Sequence, residues 1–285
     1  MRTYLPIAVF LLLVLTGCRK DVTLDLPEYR QKVVIEASIE TGAPAIVFLS
    51  HSVPYFEEFD FTRPEKAFIT GAKVVKTDGN ESETLTEVFP GTGYLYIGSS
   101  LAGKEGSSYT LQVTVDGRTF EAGTSIHQSV ALDSLYFKGE EDTLGFLWQK
   151  FTEPEGSGAA YRWFAKRLGR DQFYAAPFNS VFDDKFVDGK TFDFAYDRGR
   201  QPIDSGGIDP ERGYYKRGDA VVVKFCRIGR REYEFWSTYY MNKSSNGNPF
   251  SAPANIKSMF TDPEHSMGAF VGYAPTFDTL VIPAK

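Results

Sequence analysis

The sequence predicts a mainly β protein with two β-domains, and three observations favour this fold class. Short segments alternate between apolar and polar residues, as strands with one buried face do. Clusters of Gly, Pro, Asp and Asn separate these segments and supply tight turns. A helical spacing of aromatic residues interrupts the strand pattern only late, at residues 230–242. We expect an immunoglobulin-like β-sandwich first, followed by a second β-sandwich or barrel-like domain that carries the helix.

The first domain is predicted to span residues 33–127. Residues 33–39 place apolar side chains at every second position, and residues 109–115 repeat this pattern. The Asp116-Gly117 turn after the latter segment leads into a returning strand at 118–122, which predicts a hairpin. Further short strands are predicted at residues 45–50, 72–77, 84–89 and 94–98.

The second domain is predicted to span residues 128–285, because the stretch around 124–130 has no strong period. Its helix would place Tyr233, Trp236 and Tyr240 in one stripe against a sheet. The segment that follows the helix is rich in Asn, Ser and Pro and is predicted to be a long surface loop. The predicted strands of this domain are residues 132–137, 144–151, 161–168, 191–196 and 220–228.

An apolar run that begins at Tyr4 ends in Leu15-Thr16-Gly17-Cys18, which resembles a lipobox. Arg2 supplies the positive charge that precedes the apolar core of a signal peptide. The run is shorter than the roughly 20 apolar residues of a spanning helix. We therefore expect residues 1–17 to be a lipoprotein signal peptide, Cys18 to carry the lipid and residues 18–32 to form the tether.

Composition narrows the classes of partner. The chain has a net charge of −6, and removal of residues 1–17 would take away one basic residue and no acidic one. An acidic chain disfavours nucleic acid as a partner. With Cys18 acylated, Cys226 would be the only remaining cysteine, so no disulfide within the chain is expected and Cys226 is predicted to lie in the core.

The sequence predicts no catalytic residues, no metal site and no cofactor. The histidines His51, His127 and His265 lie far apart and do not have the spacing of zinc ligands. Glycine-rich phosphate loops, nucleophile elbows and dinucleotide motifs are absent from the sequence. An acidic group, Asp183, Asp184 and Asp188 with Asp193 and Asp197, could supply calcium ligands or a catalytic carboxylate pair, but its spacing matches no calcium loop. We interpret Asp188-Gly189 as a turn and Asp193 and Asp197 as the solvent side of a strand.

Aromatic side chains in predicted loops are the candidates for contact with a ligand or partner, because exposed rings stack well on other molecules. These candidates are Tyr55, Phe56, Phe59, Phe61, Tyr214, Tyr215 and Phe250. Three tripeptides that begin with Asp also resemble an O-glycosylation site of exported proteins. Their hydroxyl residues are Ser134, Thr143 and Thr279.

Several short blocks, taken in order, resemble the Bacteroidota lipoprotein family that is catalogued as domain of unknown function 4249. Residues 267–273 depart from the Gly-aromatic-Gly pattern of that family. The resemblance implies a surface or outer-membrane lipoprotein associated with TonB-dependent receptors, with no catalytic residues to carry over. The blocks are residues 18–29 with 33–36, 133–135, 151–154 with 161–163, 182–184 with 188–189, 233–236, and 248–251 with 253–256.

Together these observations lead to one functional hypothesis and two alternatives. The hypothesis is a non-enzymatic, lipid-anchored outer-membrane protein at the cell surface. It would bind a small-molecule or peptide ligand, or form a lid, for a TonB-dependent receptor. The first alternative is an adhesin or structural surface module without a transporter, and the second and less favoured one is a surface hydrolase.

Overall fold

The structure is a computed structural model that describes residues 29–53, 67–91, 93–201, 209, 211–245 and 255–285. Residues 31–285 form one compact unit. The predicted signal peptide, Cys18 and most of the predicted tether lie outside the described residues. Within the described ranges, no helix is both long enough and apolar enough to cross a membrane.

The prediction of a mainly β fold is confirmed. The described residues contain one α-helix, α1 (Arg230–Ser245), and a 3-10 turn at Asp184–Phe186. The strands are β1 (Val33–Glu40), β2 (Ile46–His51), β3 (Lys73–Thr77), β4 (Ser82–Thr84), β5 (Thr86–Val88), β6 (Leu95–Ile97), β7 (Ser108–Val115), β8 (Arg118–Ser125), β9 (Ser134–Glu141), β10 (Leu144–Thr152), β11 (Ala160–Arg167), β12 (Val181–Asp183), β13 (Thr191–Tyr196), β14 (Tyr215–Lys216), β15 (Ala220–Ile228), β16 (Ser266–Tyr273) and β17 (Thr276–Val281).

These strands form four open sheets, so the described residues show no closed barrel. The first sheet has the order β16-β1-β2-β6-β5, and the second has the order β4-β3-β7-β8. Strands β13, β10 and β14 form the third sheet together with β9, which pairs with β10. The fourth sheet has the order β12-β11-β15-β17.

Two hydrophobic cores hold the sheets together. The first contains Ile35 and Leu49 from the first sheet and Leu111 from the second, which is the expected result of strands with one apolar face. The second core contains Leu147 from the third sheet and Trp163 from the fourth. The predicted boundary near residue 127 stays a prediction. The first core crosses this position, because it also takes in residues from β15, α1 and β16.

The pairing of β16 with β1 is a feature of the fold that the sequence pattern did not predict. The two strands run parallel, from Val33 opposite Ser266 to Glu40 opposite Tyr273. Gly268 makes the pairing possible, because a Cβ atom at this position would overlap with the carbonyl group of Ile35. A strand close to the carboxyl end of the chain thus completes the sheet that begins at its amino end.

Candidate functional site

A cavity of about 150 Å³ lies between the first sheet, the fourth sheet and helix α1. Strands β1, β2 and β16 form one wall, and β11 and β15 form the wall opposite. Trp236 of α1 contributes to the lining as well. All the lining residues belong to the single compact unit, so the cavity is part of one folded body.

Strand alternation explains which side chains reach the first wall. Ile35, Ala37 and Ile39 of β1 are buried in the first core, so the intervening residues face the other side of the sheet. The register carries this pattern onto both neighbours of β1. Residues of this wall are Glu36, Ser38 and Glu40 of β1, Ile46 and Phe48 of β2, and Ala269, Val271 and Tyr273 of β16.

The opposite wall carries two cationic side chains. Arg162 and Phe164 of β11 lie two residues apart and therefore point to the same face. Lys224 of β15 is paired with Phe164 and joins them on this face. The neighbouring residues Trp163 and Phe225 point the other way, into the second core.

Arg162 is the most unusual residue of the cavity, because it is 6% exposed and forms no ion pair with any described residue. Its Nη1 atom donates a hydrogen bond to Tyr273 Oη over 2.6 Å. Its guanidinium carbon lies 3.4 Å from the ring centre of Trp236 and 4.8 Å from that of Phe164. Aromatic faces attract the guanidinium but do not neutralise it. Within the part of the chain that the structure describes, Arg162 is therefore a buried cation with no carboxylate in contact.

Three hydrogen-bond donors around the cavity have no acceptor among the described residues. The Nε atom of Arg162 and the Nε1 atom of Trp236 are both buried without a partner. Tyr273 Oη accepts from Arg162, and no described acceptor takes its own hydrogen. Arginine and the indole N–H can only donate, so these groups need an acceptor that the described residues do not supply. An anion would satisfy them.

Lys224 differs from Arg162 because it has a carboxylate partner. Its Nζ atom forms an ion pair with Glu40 of the facing wall. The ammonium also lies 5.1 Å from the ring centre of Phe164 and 5.3 Å from that of Tyr273. This pair links the two walls and leaves Arg162 as the cation that is available to a ligand.

Three groups in or beside the cavity have raised pKa values. Burial lowers the pKa of Arg162, but Tyr273, Tyr240 and Glu36 outweigh it and hold the value above the usual one for arginine. Burial raises the pKa of Tyr273, so its hydroxyl keeps its proton at neutral pH. Cys226, a neighbour of Arg162 across the β11–β15 pair, has its pKa raised to about 12 by burial.

The cavity does not include the aromatic residues that the sequence predicts as partner contacts. Tyr55, Phe56, Phe59, Phe61 and Phe250 lie outside the described residues. Tyr214 is half-buried, and its ring centre lies 4.7 Å from that of Phe146. Tyr215 has no exposed surface and packs in the second core, so a partner contact does not fit this residue.

The other predicted positions have simpler surroundings. Ser134, Thr143 and Thr279 are exposed, and their glycosylation stays a prediction.

The acidic group is held by contacts within the protein. Asp184 is buried and accepts a hydrogen bond from the Ala159 amide over 2.6 Å, while Asp183 pairs with Arg230. Across the described ranges, no three His, Cys, Asp or Glu side chains come together as metal ligands. Cys18 lies outside the described residues.

Sequence reasoning missed Arg162, Trp236 and Tyr273 as a functional group of residues. Trp236 was correctly expected in an aromatic stripe, and it is 8% exposed. The available signal was Arg162 itself, a charge in the middle of the apolar segment 159–165. A buried charge needs a partner, and the sequence offers none nearby.

The fold and the cavity define the class as a mainly β protein of several sheets with a partly enclosed cavity that carries buried hydrogen-bond donors. The chain belongs to the family described as domain of unknown function (DUF4249), whose model matches residues 19–278. Among solved structures, the chain is similar to a segment of two fibronectin type III domains from chicken tenascin. The identity is 10%, the similarity covers 87% of this chain and 97% of the other, and the TM-score is 0.23. No curated protein matches the chain.

Proposed function

We propose that the protein is a binding protein that captures a small organic anion in the cavity around Arg162. The observation that carries this proposal is the buried guanidinium that lacks a carboxylate. Burying a charge without a counter-charge costs free energy. A ligand that supplies the counter-charge would explain why an arginine occupies this buried position. Arginine suits this role because its planar group can hold a carboxylate with two parallel hydrogen bonds.

The cavity has the size and the access that a small ligand requires. Its volume of about 150 Å³ equals that of an engineered protein cavity that holds benzene, which corresponds to roughly six to ten non-hydrogen atoms. Phe48 is 41% exposed and Glu36 is exposed, so the cavity reaches solvent at the outer side of β1 and β2. Ile46, Ala269 and Val271 offer apolar surface to the body of the ligand.

We place this binding activity in the envelope of a bacterium of the Bacteroidota. The lipobox-like motif supports acylation of Cys18, and an acylated cysteine holds a folded domain at a membrane. The proposed location is the outer membrane, with the domain facing the cell surface. There the protein would deliver its ligand to a TonB-dependent receptor, which makes it an accessory component and not an enzyme.

Binding of an anion can be measured by calorimetry on the full-length protein in detergent, with benzoate, isovalerate and methylphosphonate as probes. We expect at least one probe to bind, and Arg162→Met to weaken its binding by about tenfold or more, because a charged hydrogen bond is lost. Arg118→Met is the matched control, since Arg118 is exposed on β8 and outside the cavity.

A second variant keeps the test valid if Arg162→Met does not fold. Tyr273→Phe keeps the charge of Arg162 but removes the hydroxyl that positions it, so we expect weaker binding with an intact circular dichroism spectrum. Probe binding that is equal in the wild type and in both variants would contradict the proposal.

The receptor association has its own test, which is co-purification after mild detergent extraction. We expect an outer-membrane receptor to be recovered with the wild-type protein. A preparation without receptor, under conditions that preserve a known membrane complex, would instead favour the adhesin or structural alternative.

A further inference from the structure

The two walls of the cavity carry opposite charges. Glu36 and Glu40 lie on β1, and Arg162 and Lys224 lie on the facing strands β11 and β15. Glu40 and Lys224 neutralise each other in an ion pair. The cavity therefore keeps one cation and one anion, Arg162 and Glu36, that are not paired with each other.

Glu36 is free to receive a ligand group. Its carboxylate forms no hydrogen bond or ion pair with any described residue, and its side chain is exposed where the cavity meets solvent. Its carboxylate is more than 4.0 Å from the Arg162 guanidinium nitrogens, since the two form no salt bridge, yet it acts on the pKa of Arg162. Both residues line the cavity, so a ligand inside it can contact both charges.

A ligand with only a carboxylate would satisfy half of this arrangement. Its negative charge on Arg162 would lie opposite the negative charge of Glu36, and like charges repel more strongly in a partly enclosed site than in water. A ligand that also carries an ammonium group would replace this repulsion with a second attraction.

We infer that the ligand is a small zwitterion, an α-amino acid with an apolar side chain of about the size of valine. Its carboxylate binds Arg162 and the hydroxyl of Tyr273, and its ammonium group binds Glu36. Its side chain packs on Ile46, Phe48 and Val271. This inference rests on the proposed function and specifies the ligand class of the same cavity.

The test compares three probes that differ by one charged group: L-valine, isovalerate and isobutylamine. Each is titrated into the full-length protein in detergent and followed by calorimetry. We expect L-valine to bind about tenfold more tightly than isovalerate, which lacks the ammonium group, and isobutylamine to bind most weakly.

Glu36→Gln tests whether Glu36 contacts the ammonium group of the ligand. This exposed residue can change without disturbing the core, and we expect the variant to lose about tenfold in affinity for L-valine while its affinity for isovalerate stays equal or improves. Glu140→Gln is the matched control, because Glu140 is exposed on β9 and does not line the cavity.

The outcomes separate the two proposals. If isovalerate binds as well as L-valine and Glu36→Gln changes neither affinity, the zwitterion inference is overturned while the anion-binding function stands. The same conclusion follows if L-valine does not bind but benzoate or methylphosphonate binds through Arg162. If no probe in either set binds, the proposed function is overturned and this inference with it.

Discussion

Glu83 illustrates how a single side chain holds a loop in this protein. Its carboxylate accepts hydrogen bonds from the backbone amides of Ser99, Ser100 and Leu101, and it also pairs with buried Lys76 over 3.3 Å. Burial opposes the charge of Glu83, but the amide donors outweigh it and lower its pKa from 4.5 to about 2. The loop is thus bound to β4 by one ionised group.

The lowered pKa of Glu83 predicts that acid destabilises the folded protein. Because the folded pKa is lowered, the stabilisation by Glu83 is complete above pH 4.5 and is lost as the pH falls towards 2. Glu83→Gln should lower the free energy of unfolding at pH 7 by about 2 to 3 kcal/mol and remove this part of the pH dependence. Urea denaturation between pH 2 and 7 measures both effects, with Glu140→Gln as the control. Parallel pH profiles for the wild type and Glu83→Gln would refute the assignment.

The residue scale also shows where sequence reasoning ends. The burial of Cys226 was predicted, because a lone cysteine in a strand-like segment packs as an apolar residue. The role of Arg162 was not, because its partner Tyr273 lies 111 residues away and only the folded chain brings the two together. A local sequence pattern shows that a charged residue lies in an apolar strand segment, but it does not show which distant residue the charge contacts.

At the scale of elements, local patterns predicted most strands but not all of their partners. The predicted strands at 191–196 and 220–228 coincide with β13 and β15, and the predicted hairpin is β7 with β8. Helix α1 starts at Arg230 as predicted and continues to Ser245. Alternation assigns the faces of a strand, whereas its neighbours depend on distant parts of the chain. For this reason the pairing of β16 with β1 was missed.

Gly268→Ala tests the importance of that pairing. The added Cβ would collide with the backbone of Ile35, so we expect a loss of about 1 to 3 kcal/mol in the free energy of unfolding. The variant should also bind ligand more weakly, since β16 carries Val271 and Tyr273. Gly123→Ala in β8 is the control, because its Cβ would lie 3.7 Å from the nearest atom, Tyr109 O. Equal stability of the two variants in urea would show that the close approach is unimportant.

At the scale of the whole molecule, the proposed function combines a folded unit with a proposed membrane anchor. The folded unit, residues 31–285, contains the cavity. The proposed anchor at Cys18 precedes it in the chain. A binding unit attached in this way would stay at the membrane while its ligand exchanges with solvent.

The anchor can be tested with the two cysteines of the chain. Cys18→Ser should abolish the mass increase due to acyl chains and move the protein from the detergent phase to the aqueous phase on Triton X-114 partitioning. Cys226→Ser should leave both properties unchanged, because Cys226 is fully buried in the first core. An unmodified wild-type protein by intact mass, or partitioning that is the same for all three proteins, would argue against lipidation.

The parallel pairing of β16 with β1 also has a consequence for the order of folding. The strand order places β1 between β2, which follows it directly, and β16, which begins more than 200 residues later in the chain. The Thr41–Tyr273 contact at the end of this pair spans 232 residues of chain. Contacts between such distant segments form slowly, whereas the β7–β8 hairpin is local. During synthesis, one edge of β1 therefore stays unpaired until β16 has been made, and the cavity wall that β16 forms cannot be in place before then.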